Sequence, residues 1–156
     1  MKRLESRKDC KGYTNMKQVF INLSLVHQDY TWLISDIEAY PRKKEIVDIL
    51  EGKEYLILTT KELVDLLDKE DFQWAWAVFS AIPSKYLNED ILSYDFPYIQ
   101  PVERNDNPFL KKPHIQHPLA DFEIWAWDSS GMCLVAEDEG LLNKFKANYP
   151  LSKETD

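Results

Sequence analysis

The alternation of apolar and polar positions is clearest near the C-terminus. Across residues 120–128 the even positions are Ala120, Phe122, Ile124 and Ala126, and the odd ones are Asp121, Glu123, Trp125 and Trp127. Successive strand side chains point to opposite faces, so this is a strand with one core face and one face that mixes acid with indole. Asp128-Ser129-Ser130-Gly131 then predicts a three-residue hairpin with a bulge, Asp opening a type I turn and Gly supplying a positive φ. Residues 132–136 form the return strand. Asp138-Glu139-Gly140 starts a helix whose Leu141, Leu142, Phe145 and Tyr149 fall at helical spacing before Pro150 stops it.

The same reading extends back along the chain. Val19, Ile21, Leu23 and Leu25 alternate with Phe20, Asn22 and Ser24, which predicts a strand over residues 18–26. Residues 30–40 read two ways, as a helix capped by Asp29 or as a strand built on Thr31, Trp32 and Ile34; the strand is preferred. Residues 45–50 are helix-like, and Tyr55, Leu56, Ile57 and Leu58 form a short buried strand. Thr59 to Glu62 is a capping box, followed by the apolar stripe Leu63, Val64, Leu66 and Leu67 of a helix to about Lys69.

Residues 72–82 are the longest apolar run, with Phe72, Trp74, Trp76 and Val78 on one parity and Ala75, Ala77 and Ala81 on the other. That predicts a central strand packed closely by a helix on its alanine face. Trp74-Ala75-Trp76 echoes Trp125-Ala126-Trp127, and on neighbouring antiparallel strands the four indoles would make one aromatic layer. Asn88-Glu89-Asp90 caps a short helix through Leu92. Residues 94–118 then hold five of the eight prolines together with Tyr94, Phe96, Tyr98 and Phe109. An ordered, largely extended loop that crosses one face or edge of the sheet is expected.

These elements predict an α+β domain: a mainly antiparallel sheet of five or six strands with two to four helices packed chiefly on one face. Residues 1–15, basic and poor in apolar side chains, are expected to lie outside the fold, disordered or arising from a misassigned start. Met16 looks like a natural first residue, and Lys11-Gly12 requires purine-rich codons that resemble a ribosome-binding sequence. The domain is then 16–150, with 151–156 a tail. At 44% hydrophobic and 13% aromatic the chain has enough apolar material for one packed core. Two cysteines far apart, no signal-peptide core and no apolar run of membrane-spanning length place the expected site of action in the cytoplasm.

A net charge of −8 argues against a general nucleic-acid binder, which needs clustered Lys and Arg. It favours a basic partner instead. No GxSxG, Walker loop, GxGxxG or CxxC occurs, so no cofactor is expected. His114 and His117 are the one histidine pair, and Asp121, Glu123 and Asp128 follow closely; three residues apart in extended chain they point to different sides, which suits a metal poorly. Asp121 and Glu123 read as the polar face of a half-exposed strand, with an acid–base pair split by the indoles as the sharper alternative.

The block from Ile115 to Asp121, continued by Glu123-Ile124 and by Trp127 to Ser130, resembles a family of small proteins from Bacillus-type bacteria without an established activity. The resemblance spans most of the chain from Met16, implies a bacterial cytoplasmic domain, and carries over no catalytic residue. The function expected from all of this is non-enzymatic protein binding through His114, His117, Asp121, Glu123, Trp125 and Trp127, in the manner of an immunity protein that neutralises a basic toxin. A small enzyme or metal protein using the two histidines, and a small-molecule sensor with an aromatic pocket, are the competing expectations.

Overall fold

The computed structural model describes residues 1–10, 13–101 and 106–156. Among them seven strands form one antiparallel sheet: β1 (Lys2–Ser6), β2 (Tyr30–Tyr40), β3 (Tyr55–Thr59), β4 (Gln73–Pro83), β5 (Phe122–Trp127), β6 (Gly131–Ala136) and β7 (Lys153–Thr155). Their order across the sheet is β3-β2-β4-β5-β6-β1-β7. Helices α1 (Met16–Asn22), α2 (Lys44–Leu50), α3 (Thr60–Lys69) and α5 (Glu139–Asn148) send their apolar side chains into the same core cluster on one face. The short α4 (Asn88–Leu92) packs Ile91 on the other face. The α+β class with a mainly antiparallel sheet is as the sequence predicts.

Two additional strands come from the chain ends. Residues 2–6 are not a disordered extension: β1 pairs with β6 over five residues, Lys2 with Ala136 through Ser6 with Met132, and Leu4 is fully buried. The supposed tail contributes β7, which pairs Arg3 with Thr155 and Glu5 with Lys153. One in-facing leucine and a few backbone pairs suffice to recruit a polar pentapeptide when an open strand edge is waiting for it. Lys11-Gly12, the basis of the alternative start, lie outside the described residues.

The strand expected at residues 18–26 is a helix. Met16, Val19, Phe20 and Leu23 are buried at i, i+3, i+4 and i+7, whereas Ile21 is half exposed. Asn15 Oδ1 caps the first turn by accepting the Gln18 N–H at 3.0 Å. Alternate apolar residues satisfied a period of two by coincidence, and the cap with Met16 settles the period at 3.6. At α3 the capping box forms as predicted: Thr59 Oγ1 accepts the Glu62 N–H at 3.2 Å and Glu62 Oε1 accepts the Thr59 N–H at 3.0 Å.

Strand β4 changes parity midway. Phe72 and Trp74 lie in the helix-side core, and so do Ala77, Phe79 and Ala81, while Trp76 and Val78 lie on the opposite face. The register between β2 and β4 shifts on either side of Glu38, and Asp36 has a φ of 54°. Such a bulge flips every later side chain. The four indoles therefore do not form one layer: Trp74 belongs to the helix side, and Trp76, Trp125 and Trp127 to the other.

The hairpin also departs from its expected turn. Asp128 and Ser129 carry the positive φ values, 51° and 58°, and the Ser130 N–H returns to the Trp127 carbonyl at 3.2 Å, the pattern of a type I′ turn. Gly131 is needed for space rather than φ, because a Cβ there would sit 2.7 Å from the Trp127 ring.

Candidate functional site

The odd positions of β5 are covered, fully at Glu123 and Trp125 and in part at Trp127. The Pro-rich segment lies across that face as a strap, placing Ile99, Phe109 and Ile115 over Val78, Trp125, Cys133 and Val135. The part of it at 102–105 lies outside the described residues. Side chains spread along the sheet hold it down. Ser35 Oγ on β2 donates to the Pro97 carbonyl at 2.7 Å. The adjacent Asp36 carboxylate accepts the Ile99 and Gln100 N–H groups at 2.6 and 2.8 Å. Within the strap Gln116 imitates a strand neighbour, accepting the Tyr98 N–H and donating to the Tyr98 carbonyl, both at 3.0 Å.

Glu123 makes the third attachment. It is fully buried, accepts the His117 N–H at 2.9 Å on one carboxyl oxygen and the Trp125 indole N–H at 3.0 Å on the other, and has the Gln116 N–H directed at it as well. Burial pushes its pKa up to about 7 against the pull of those donors. The half-exposed polar face expected here is therefore corrected: the parity was right, and what covers the face was not visible. His117 is also fully buried. Its Nδ1 accepts the Leu119 N–H at 3.1 Å, which leaves Nε2 as the protonated nitrogen, donating to the Ile91 carbonyl at 2.9 Å. Burial lowers its pKa, so the ring is held neutral. Both nitrogens are spent on backbone.

Arg3 of β1 makes the fourth attachment, one for which the sequence offers no local signal. Its guanidinium is 4% exposed, pairs with Glu5 at 2.8 Å, and donates to the carbonyls of Phe109 at 2.9 Å, Pro108 at 3.3 Å and Lys111 at 3.4 Å. These three carbonyls belong to the 3₁₀ turn Pro108–Leu110 and the residue after it. The turn packs Phe109 against Trp125 and Trp127, with centroids 5.3 and 4.8 Å apart, and turns Leu110 outward to 85% exposure. Arg7 stacks over the Trp127 ring at 4.4 Å and pairs with Asp128 at 2.8 Å.

The six residues singled out in the sequence are thus divided. His117, Glu123 and Trp125 form one buried network that fixes the strap. Trp127 is a half-buried part of the surface beside Phe109 and Leu110. His114 stands apart, half buried, with Nδ1 3.0 Å from the Lys112 carbonyl, in a cleft of about 190 Å³ with Tyr98, Asp106 and Lys111. Asp121 is exposed at the far end of β5, beside Tyr30 in a separate cleft of about 450 Å³. Among the described residues no group of three His, Cys, Asp or Glu side chains is placed to hold a metal ion. Trp32, Trp74 and Trp125 are packed solid, and none of the five clefts described is lined by tryptophan.

No family model, no curated protein and no solved structure matches this chain. The resemblance to Bacillus-type proteins rests on the sequence pattern alone. Among the described residues, no helix is long and apolar enough to cross a membrane. The fold and the strap define a class in physical terms: an antiparallel sheet with helices on one face and a stapled, aromatic-bearing strap on the other.

Proposed function

We propose that this is a non-enzymatic recognition domain that binds another protein through the strap face, with Leu110 as the anchor and Trp127 and Phe109 beside it. The observation that carries the reading is the turn itself. A leucine exposed to 85% sits on a turn whose carbonyls are gripped by a buried guanidinium. A rigid apolar knob loses little entropy on docking, and aromatic and arginine side chains around it are what interface centres are made of. The charges at its rim are already paired, Arg7 with Asp128 and Lys111 with Asp106 at 2.7 Å, which keeps the patch itself near neutral.

The net charge of −8 supports a basic partner, drawn in by long-range attraction and then held by apolar contact. The concrete form of this reading is an immunity-type inhibitor of a basic toxin. A catalytic reading would need His114, His117 and carboxylates to meet at an open site; His117 and Glu123 are closed off, and His114 is elsewhere.

The test is a pull-down from the native host at low and high salt with the wild type and Leu110→Glu in parallel, an exchange that leaves the core untouched. A basic protein retained by the wild type at low salt, released at high salt and missed by Leu110→Glu supports the proposal. Equal recovery by the variant overturns the assigned surface.

A further inference from the structure

Glu123 is a fully buried carboxyl under the strap, and among the described residues no cation is paired with it. On β4 its register partner is Ser80, whose buried hydroxyl is directed at the carboxyl. On β6 the partner is Val135, and one strand further Arg3 continues the same row, about 10 Å away at two strand spacings. That guanidinium is occupied by Glu5 and the strap carbonyls. On the same face the Cys133 thiol is held protonated by burial, and among the described residues the strap brings the neutral His117 ring, itself tied to α4 through Ile91. Asp121, two residues before Glu123 on the same chain, is exposed.

We propose that Glu123 is a proton-controlled latch: with its carboxyl neutral the strap limb 113–119 is held on the sheet, and with its carboxyl ionised that limb lifts to let water reach the charge. The limb is the part able to yield. The sheet neighbours of Glu123 are locked in a seven-stranded ladder, whereas 113–119 has no ladder of its own and is pinned by Gln116, His117 and the carboxyl. Lifting removes Ile115 from the cluster around Trp125 and Phe109, and so remodels the surface next to Leu110. The latch stands or falls independently of what that surface binds.

Amide hydrogen exchange on the intact chain between pH 4.5 and 8.5 tests it, each rate divided by its intrinsic value. The Ile99 amide, held by Asp36 in the other limb, serves as the internal reference. Under the closed strap the carboxyl keeps its proton up to about pH 7, whereas in water it would lose it near 4.5. Protection of the Gln116 and His117 amides should therefore fall about tenfold per pH unit between pH 4.5 and 7, roughly 300-fold in all, and level off above pH 7, while Ile99 stays level. In Glu123→Gln the two amides should lose that pH dependence. A His117 amide that tracks Ile99 throughout in the wild type overturns the latch, and so does an unchanged fall in Glu123→Gln.

Discussion

Leu4→Ala distinguishes a strand from an appendage. Leu4 is the inward-facing residue of β1, fully buried in the helix-side core with Leu134 and Ala136 of the neighbouring strand. Removing its three terminal carbons costs their transfer free energy, about 2 kcal/mol, plus the cavity left behind, and buried Leu→Ala changes span about 2.7–5 kcal/mol. A value of about 3 kcal/mol is expected, a large share of a total stability of roughly 5–15 kcal/mol. In urea, with a slope of about 2 kcal/mol per molar, the midpoint should drop by about 1.5 M. Deleting residues 1–15 should cost more. It also removes Arg3 from three carbonyls, takes the Thr14 hydroxyl from the Gly131 carbonyl at 3.1 Å, and leaves β7 without its neighbour. If Leu4→Ala changes stability by less than about 0.5 kcal/mol, the range of ordinary surface substitutions, the segment is a tail and β1 is wrong.

Gly131→Ala should destabilise by about 1–3 kcal/mol, because its Cβ would push the Trp127 ring off Gly131 and away from Phe109; unchanged tryptophan fluorescence and an unchanged midpoint would count against that packing. Glu123 makes stability depend on pH in the direction opposite to an ion-paired acid. Its folded value near 7 exceeds the ordinary 4.5, so the native state binds more protons than the unfolded chain between those limits. Stability is highest below pH 4.5 and is lost as pH rises to 7, by about 3 kcal/mol at 1.36 kcal/mol per unit. Glu123→Gln should remove that slope, at some cost of its own because its NH₂ must face an N–H donor. Parallel wild-type and variant stability curves over pH 4.5–7.5 would refute the burial argument.

The sequence by itself determined the local elements whose signals were redundant. The capping box at Thr59 and Glu62, the hairpin of β5 and β6 and the apolar spacing of α5 each formed, and the short apolar run of β3 formed a strand, though as the half-buried edge of the sheet rather than the buried strand expected. The even–odd partition of β5 was equally legible, and it put Glu123, Trp125 and Trp127 on one face. Residues 18–26 had a single cue, alternation, and that cue also fits a helix.

Tertiary structure alone decided what covers each face and which strands join the sheet. A carboxylate at position 123 reads as a solvated strand residue unless the strap returns over it, and nothing within a few residues announces that return. Arg3 and Asp36 act on chain segments more than sixty residues away. The bulge at β2 and β4 reverses a parity that is unbroken in the letters. Strand periodicity is a property of neighbours in sequence, whereas burial and register are properties of neighbours in space, fixed only when the chain has closed on itself.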